Sequence, residues 1–385
     1  MKILHLIIDH QVVERTMGIY EDVFPGCNKL VVFDVFNKPL KHIKNIHCHS
    51  IVRLGKGDTI GRQFDFQGYT HIVAHFLTMD MIDFIKLAPK DIHVCWEIYG
   101  WDLYNQFEKT LNLNLYYTDS RQYEKYSKYY FFQSHFSTMF NYLLKMKGYK
   151  YRSEKDKKKQ LDFIANRIDS IQACCKDDAS VVMDYAKKKL PWFECFNYSL
   201  TETLGDLKGI PFFEGSDILI GNSASLSNNH LYVMDKIKDF IFPQGCKIVM
   251  PISYGGNPHY KEDVKNAYTA KFGESVEFIT EYMPLHEYNK IFLRLKTMIL
   301  SAWRQESIGT IIMGLYLGIK IFLSDRSPLY KWMNECGFIV KAIETATSES
   351  LNTPLSDNEK KHNRDLVLSR YDEQVFAATL IKQFS

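Results

Sequence analysis

The chain has 385 residues, 46% hydrophobic and 24% charged, enough to bury a large core and, on length, to form two domains. A net charge of +3 is too balanced for a surface built to hold nucleic acid, and no apolar run approaches the ~18 residues of a membrane span. The eight cysteines contain no CxxC pair, so they read as reduced thiols of a cytoplasmic protein and not as a disulfide or metal framework.

The apolar start, Ile3 to Ile8, is too short for a signal peptide and reads as a first buried strand. Further strands are expected over 30–33, 71–76, 91–96 and around 129–132. Their runs lack period-two alternation, as in parallel strands buried on both faces. Ligand groups gather at the carboxyl ends of such strands, which places Asp9, His10, His75 and Glu97 where chemistry is expected. Between Trp96 and Tyr104, aromatic rings surround Gly100 and the carboxylates of Glu97 and Asp102. That mixture suits a sugar, although a strand running into a turn with Asp102 as a helix cap explains it equally well. A lysine-rich stretch over 142–160, with Tyr142, Tyr149 and Tyr151 interleaved, fits either a contact with an anionic leaflet or a solvated loop. Any membrane contact is then peripheral.

Gly205, Gly209, Pro211 and Gly215 punctuate the connection that follows, so the expected domains are 1–210 and 211–365, with 366–385 as a helix crossing back to the first. After Gly215 the alternation is regular. Strands are expected over 217–220, 247–250, 276–279, 297–300, 320–323 and 338–340, with helices over 229–240, 260–272, 284–295, 309–317 and 329–336 between them. This is the pattern of an α/β protein with parallel sheets and right-handed crossovers.

The strand exits carry the polar residues. Gly221, Asn222 and Ser223 lead from an apolar strand to Ser227 and Asn228, either of which would cap the next helix. A turn of small residues before a helix N-terminus favours an anion, although turn geometry and capping alone also account for it. Tyr254 and Asn257 follow the next strand, and Arg304, Gln305, Gly309 and Thr310 follow a later one, where a permanent cation precedes another helix N-terminus. Two such elements suit the two phosphates of a nucleoside diphosphate. GxxxxGK[ST] and GxGxxG are both absent, which argues against a Walker loop and against a nicotinamide or flavin cofactor; no DxD offers a metal clamp.

Leu219-Ile220-Gly221-Asn222-Ser223, Ser227-Asn228-x-His230, Pro251-x-x-Tyr254-x-x-Asn257 and Arg304-Gln305-x-x-Ile308-Gly309-Thr310 together resemble the 4-acetamido-4,6-dideoxygalactose transferases of enterobacterial common antigen synthesis, the 4-alpha-L-fucosyltransferase family. In the first half Gly100-x-Asp102-Leu103-Tyr104, His75 and Asp9 share the resemblance. The chain departs from the family pattern at Glu97 and Glu306. The resemblance implies a GT-B glycosyltransferase with two Rossmann-like domains facing across a cleft. It implies a dTDP-sugar as donor and a polyprenyl-diphosphate-linked oligosaccharide as acceptor, with no cofactor. Arg304 and the two helix ends would then stabilise the leaving diphosphate, while Asp9, His75 or Asp102 would serve as the acceptor's base. A nucleotide-sugar epimerase of the same architecture and a non-catalytic nucleotide-sugar-binding partner are the competing readings.

Overall fold

The structure, a computed structural model, describes residues 1–10, 12–33, 39–44, 51–54, 64–123, 153–196 and 199–384. The strand expected near 129–132 and residues 142–152 of the lysine-rich stretch lie outside them. Two compact units emerge, Met1–Leu113 with Asn141–Leu200 and Tyr371–Ser385, and Asn114–Phe140 with Thr201–Arg370. The division thus falls at 200/201, where the glycine punctuation put it near 210, and the segment 114–140 groups with the second unit.

The first unit is a parallel sheet of β1 (Ile3–Ile7), β2 (Asn28–Phe33), β3 (Ile51–Leu54), β4 (His71–His75), β5 (His93–Ile98), β6 (Ser170–Ala173) and β7 (Trp192–Glu194), in the order β3-β2-β1-β4-β5-β6-β7. Every residue of β1 is buried, as expected of a central parallel strand. The helix Val13–Val23 covers the sheet with Met17 and Tyr20. The helix Glu373–Phe384 packs in this same unit, its Phe376 and Phe384 rings edge-on to Tyr20 at 6.4 and 6.0 Å. The described part of the lysine-rich stretch opens the helix Glu154–Arg167, whose start is held by a reciprocal capping box between Ser153 and Asp156. Lys157 and Lys158 pair there with Glu154 and Asp162 on the helix surface.

The second unit is a parallel sheet of β8 (Asp217–Ile220), β9 (Ile248–Pro251), β10 (Val276–Ile279), β11 (Leu295–Leu300), β12 (Lys320–Leu323) and β13 (Lys341–Ala342), ordered β10-β9-β8-β11-β12-β13. Helices Pro258–Phe272 and Ile308–Leu317 start within two residues of their expected positions. The helix expected from Asn229 is shorter, His230–Ile237. No helix among the described residues is long and apolar enough to cross a membrane.

At the foot of β8 the amides of Ser216 and Asp217 both donate to Arg294 O, and the pairing with β11 shifts register between Leu295 and Thr297. The backbones meet so closely that a Cβ on Gly215 would sit 2.3 Å from Leu295 C and O. Overpacking against backbone cannot be relieved by a rotamer change. Gly215→Ala is therefore expected to cost about 1–3 kcal/mol, read as a lower urea midpoint; an unshifted midpoint contradicts the tight register.

Candidate active site

In the second unit strand order reverses about β8 and β11, and the carboxyl ends on either side of such a reversal are where open α/β sheets take ligands. Buried Ile218, Leu219 and Ile220 deliver the chain to Gly221, whose N–H donates to Ile299 O at 2.9 Å. Gly221 has φ +71°, and a Cβ there would lie 2.6 Å from His230 Nε2. Both facts require glycine at this position.

Asn228 is the hub of the turn. Its Oδ1 accepts the Asn222 N–H at 3.0 Å, and its Nδ2 donates to Ser223 Oγ at 3.1 Å and to Glu306 Oε1 at 3.2 Å. Glu306 Oε2 in turn accepts Arg304 Nε at 2.9 Å, with both side chains largely buried. One polar chain therefore ties the exit of β8 to the exit of β11. The helix cap differs from expectation for the same reason. Ser227 and Asn228 lie buried in a short 3-10 turn, and the N-cap is Asn229 in a left-handed conformation, φ +49°, with no side-chain cap bond. Asn228 cannot cap because its carboxamide is already engaged with Asn222, Ser223 and Glu306. Asn229 instead accepts the Tyr117 N–H at 2.8 Å and donates toward Leu115 O and Ser301 O.

Tyr254 is 56% exposed beside this network, and its carbonyl accepts the Ala224 N–H at 2.8 Å. Burial of part of the ring and then the Glu306 charge push its hydroxyl pKa up. Gln305 is buried, and its Oε1 has no hydrogen-bond partner. Ser307 precedes the helix Ile308–Leu317 in a left-handed conformation without a side-chain cap, so Gly309 and Thr310 belong to an uncapped first turn. Asn257 has a structural task. It caps the helix Pro258–Phe272 by accepting the Tyr260 N–H at 2.9 Å and donates to Tyr123 O. The network thus brings Asn222, Ser223, Asn228 and Arg304 together with Tyr254 at its edge. Glu306, read from the sequence only as a departure from the family pattern, is the member that sequence reasoning missed.

The first unit reverses its strand order between β1 and β4. Asp9 follows β1, and its carboxylate accepts the N–H groups of Lys41, His42 and Ile43 at 2.6, 3.0 and 3.0 Å. Partial burial works the other way, yet these three bonds hold its pKa below the ordinary value. Asp102 is fully buried and accepts Trp96 Nε1, Leu77 N and Tyr99 N at 2.7, 3.2 and 3.0 Å. Burial raises its pKa to about 6 against the pull of those donors. Both carboxyls hold loops in place.

His75 is also buried. Its Nδ1 contacts Glu97 Oε2, and its Nε2 lies 2.9 Å from His5 Nδ1. The proton positions follow from the far end. Asn28 Nδ2 donates to Glu21 Oε2, Tyr20 O and Phe24 O, which turns its Oδ1 toward His5 Nε2 at 3.0 Å. His5 therefore carries its proton on Nε2 and accepts from His75 Nε2–H, leaving one proton to be held between His75 Nδ1 and Glu97. Among the described residues one group of metal-ligand type occurs, the buried Cys174, Cys175 and Asp178 of the first unit; it is remote in sequence from every predicted site residue.

Burial, then the neighbouring His75, lowers the pKa of His5 to about 3. In the unfolded chain it titrates near 6.5, so the stability that His5 supports is complete above pH 6.5 and is lost as pH falls from there toward 3. Urea midpoints are expected to decline from pH 7 to pH 5, less steeply in His5→Gln. An equal slope in the variant would assign the decline to other groups.

The model of the 4-alpha-L-fucosyltransferase glycosyl transferase group 56 family matches residues 212–353. That stretch holds β8 through β13 and the whole Asn228–Arg304 network. Among solved structures the chain is similar to HepE of Anabaena in complex with UDP, at 10% identity and TM-score 0.62 over 100% of this chain and 99% of that one. It is similar also to sucrose-phosphate synthase of Thermosynechococcus elongatus, at 10% identity and TM-score 0.64 over 100% and 98%. A UDP-forming alpha,alpha-trehalose-phosphate synthase of Burkholderia vietnamiensis matches at 9% identity and TM-score 0.59 over 100% and 99%. At such identity these likenesses speak for the fold, which is GT-B. The protein is a glycosyltransferase whose residues 212–353 match the group 56 family, the one its motifs resemble.

Proposed function

We propose that the protein transfers a 4-acetamido-4,6-dideoxyhexose from a dTDP-sugar to a polyprenyl-diphosphate-linked or related oligosaccharide, at the inner membrane face, in bacterial surface polysaccharide synthesis. The observation that carries this reading is the polar chain from Ser223 through Asn228 and Glu306 to Arg304, which sets a guanidinium and two helix starts around one strand-order reversal. Similar folds named in complex with UDP and with UDP-glucose support a nucleotide sugar as donor. The family match over the same stretch supports a deoxysugar transferase.

In this reading the acceptor hydroxyl oxygen bonds to the anomeric carbon as the bond from that carbon to the diphosphate oxygen breaks, and the hydroxyl proton passes to a base. Negative charge grows on the departing diphosphate. Arg304 meets that charge, together with the N–H groups of the helix start at Gly309 and Thr310, while the Gly221, Asn222, Ala224 and Ser225 N–H groups are already donated within the protein and hold the facing turn in shape. Asn222, Ser223, Ser227 and Asn228 shape the phosphate side, Gln305 offers its unpartnered carbonyl, Tyr254 flanks the base or sugar, and Asn257 holds the adjacent helix. Asp9, His75 and Asp102 serve the acceptor side by fixing the carboxyl ends of β1, β4 and β5. No metal is assigned a role.

Arg304→Ala is expected to reduce turnover about 10²–10³-fold with the unfolding midpoint little changed; turnover within a few-fold of the native protein contradicts the leaving-group role. Thermal-shift titration should show dTDP stabilising the fold more than UDP or GDP, because only a ligand bound to the native state raises the midpoint. Treatment with EDTA should leave the rate unaltered. A loss restored by Mg²⁺ would replace the helix-end account with a metal-bridged one.

A further inference from the structure

His230 opens the helix that follows the β8 turn, and its imidazole is fully buried. Tyr260 is its polar neighbour on the Nδ1 side. The Tyr260 hydroxyl oxygen accepts the His230 backbone N–H at 3.1 Å and lies 3.2 Å from His230 Nδ1. A hydroxyl has one hydrogen; where Tyr260 gives it to Nδ1, the imidazole proton stands on Nε2. Burial lowers the pKa of His230 to about 4, so the ring is neutral at pH 7. That Nε2–H has no hydrogen-bond partner in the protein. An orphaned buried donor calls for an explanation, and a ligand that arrives later is one.

The orphan faces the ligand edge. Nε2 lies 2.6 Å from the point where a Gly221 Cβ would be, and Asn228 Oδ1 lies 3.1 Å from the same point. The imidazole thus packs directly against the side-chain-free face of Gly221 in the turn. At φ +71° that backbone is in a glycine conformation, held by the Gly221 N–H on Ile299 O and the Asn222 N–H on Asn228 Oδ1. A second buried orphan, Asn222 Oδ1, stands one residue along. Resting on the donor site proposed above, we propose that His230 is a further donor-binding residue: its neutral Nε2–H, aimed at the Gly221 turn, donates to a phosphate oxygen of the nucleotide sugar. A neutral donor at this point selects the diphosphate by a directed hydrogen bond, without adding charge that would hold the product.

The test uses the whole protein, labelled with ¹⁵N-histidine. Long-range ¹H–¹⁵N spectra should show His230, assigned from its absence in His230→Gln, as the Nε2–H tautomer from pH 5 to 8. Its Nε2 resonance should move when dTDP or inorganic pyrophosphate is added and stay in place with thymidine. By calorimetry His230→Phe, which keeps a ring and loses the donor, should bind dTDP at least tenfold more weakly and thymidine unchanged. If His230→Phe does not fold, the spectra of the native protein decide. An Nε2 resonance unmoved by bound dTDP, or dTDP affinity unchanged in His230→Phe, overturns the role of His230 alone. Native protein that binds no nucleoside diphosphate overturns the donor site with it.

Discussion

A single buried carboxamide sets the spacing of the strand exits after β8 and β11 in the second unit. Asn228 spends one atom on the backbone of the β8 turn and the other on Ser223 and on Glu306, which holds Arg304. Buried polar groups are costly unless satisfied, so removing any member leaves the others unpaired and the loss exceeds one hydrogen bond. That cooperativity is why a loop carrying Arg304 and a turn carrying Gly221, some eighty residues apart in the chain, keep one geometry. Asn229 extends the same logic by tying residues 115 and 117 to the start of the His230 helix.

The first unit repeats the device with different residues. Asn28 is oriented by three acceptors, and its orientation propagates through His5 to His75 and Glu97. In both units, then, an amide whose two ends differ chemically decides where neighbouring protons or charges sit. A carboxylate or a hydroxyl in its place would leave that choice open. Asp9 and Asp102 add to this by gathering backbone N–H groups, which fixes loops that otherwise carry unsatisfied donors at the carboxyl ends of strands.

Legibility followed the physics of each segment. Five of the six strands expected in the second half were readable to within two residues because both-face burial imposes unbroken apolar runs such as Ile218-Leu219-Ile220 and Met298-Ile299-Leu300, whereas the one expected over 338–340 lies outside that span, as the two-residue β13 at Lys341–Ala342. Ser170–Ala173 and Trp192–Glu194 were not, since short strands carrying Ser, Gln and Glu have no such signature. The wrong cap before the His230 helix has the same origin as the missed Glu306. Local propensity favours Asn228 as a cap, but tertiary hydrogen bonds claimed its side chain first, and the partner that claimed it looked in the sequence like a mere departure from a pattern. The loop-holding task of Asp9 rests on amides more than thirty residues away, and Asp102 adds to its local donors Tyr99 N and Trp96 Nε1 the Leu77 N–H about twenty-five residues away, bonds that no local reading contains in full.

The helix Glu373–Phe384 has a consequence for how the protein is made. Its Phe376, Leu380 and Phe384 fill the layer over Tyr20 and Met17, next to the strand that starts at Ile3. A ribosome therefore releases the opening strands of the sheet long before the piece that seals them, and the whole second unit is synthesised in the interval. During that time an apolar face around Tyr20 stays uncovered while the later unit, whose own core is contained within residues 114–370, is free to form. In this chain the earlier half in sequence is the later one to be completed, and the exposed Tyr20 face is the surface on which chaperones and aggregation would compete.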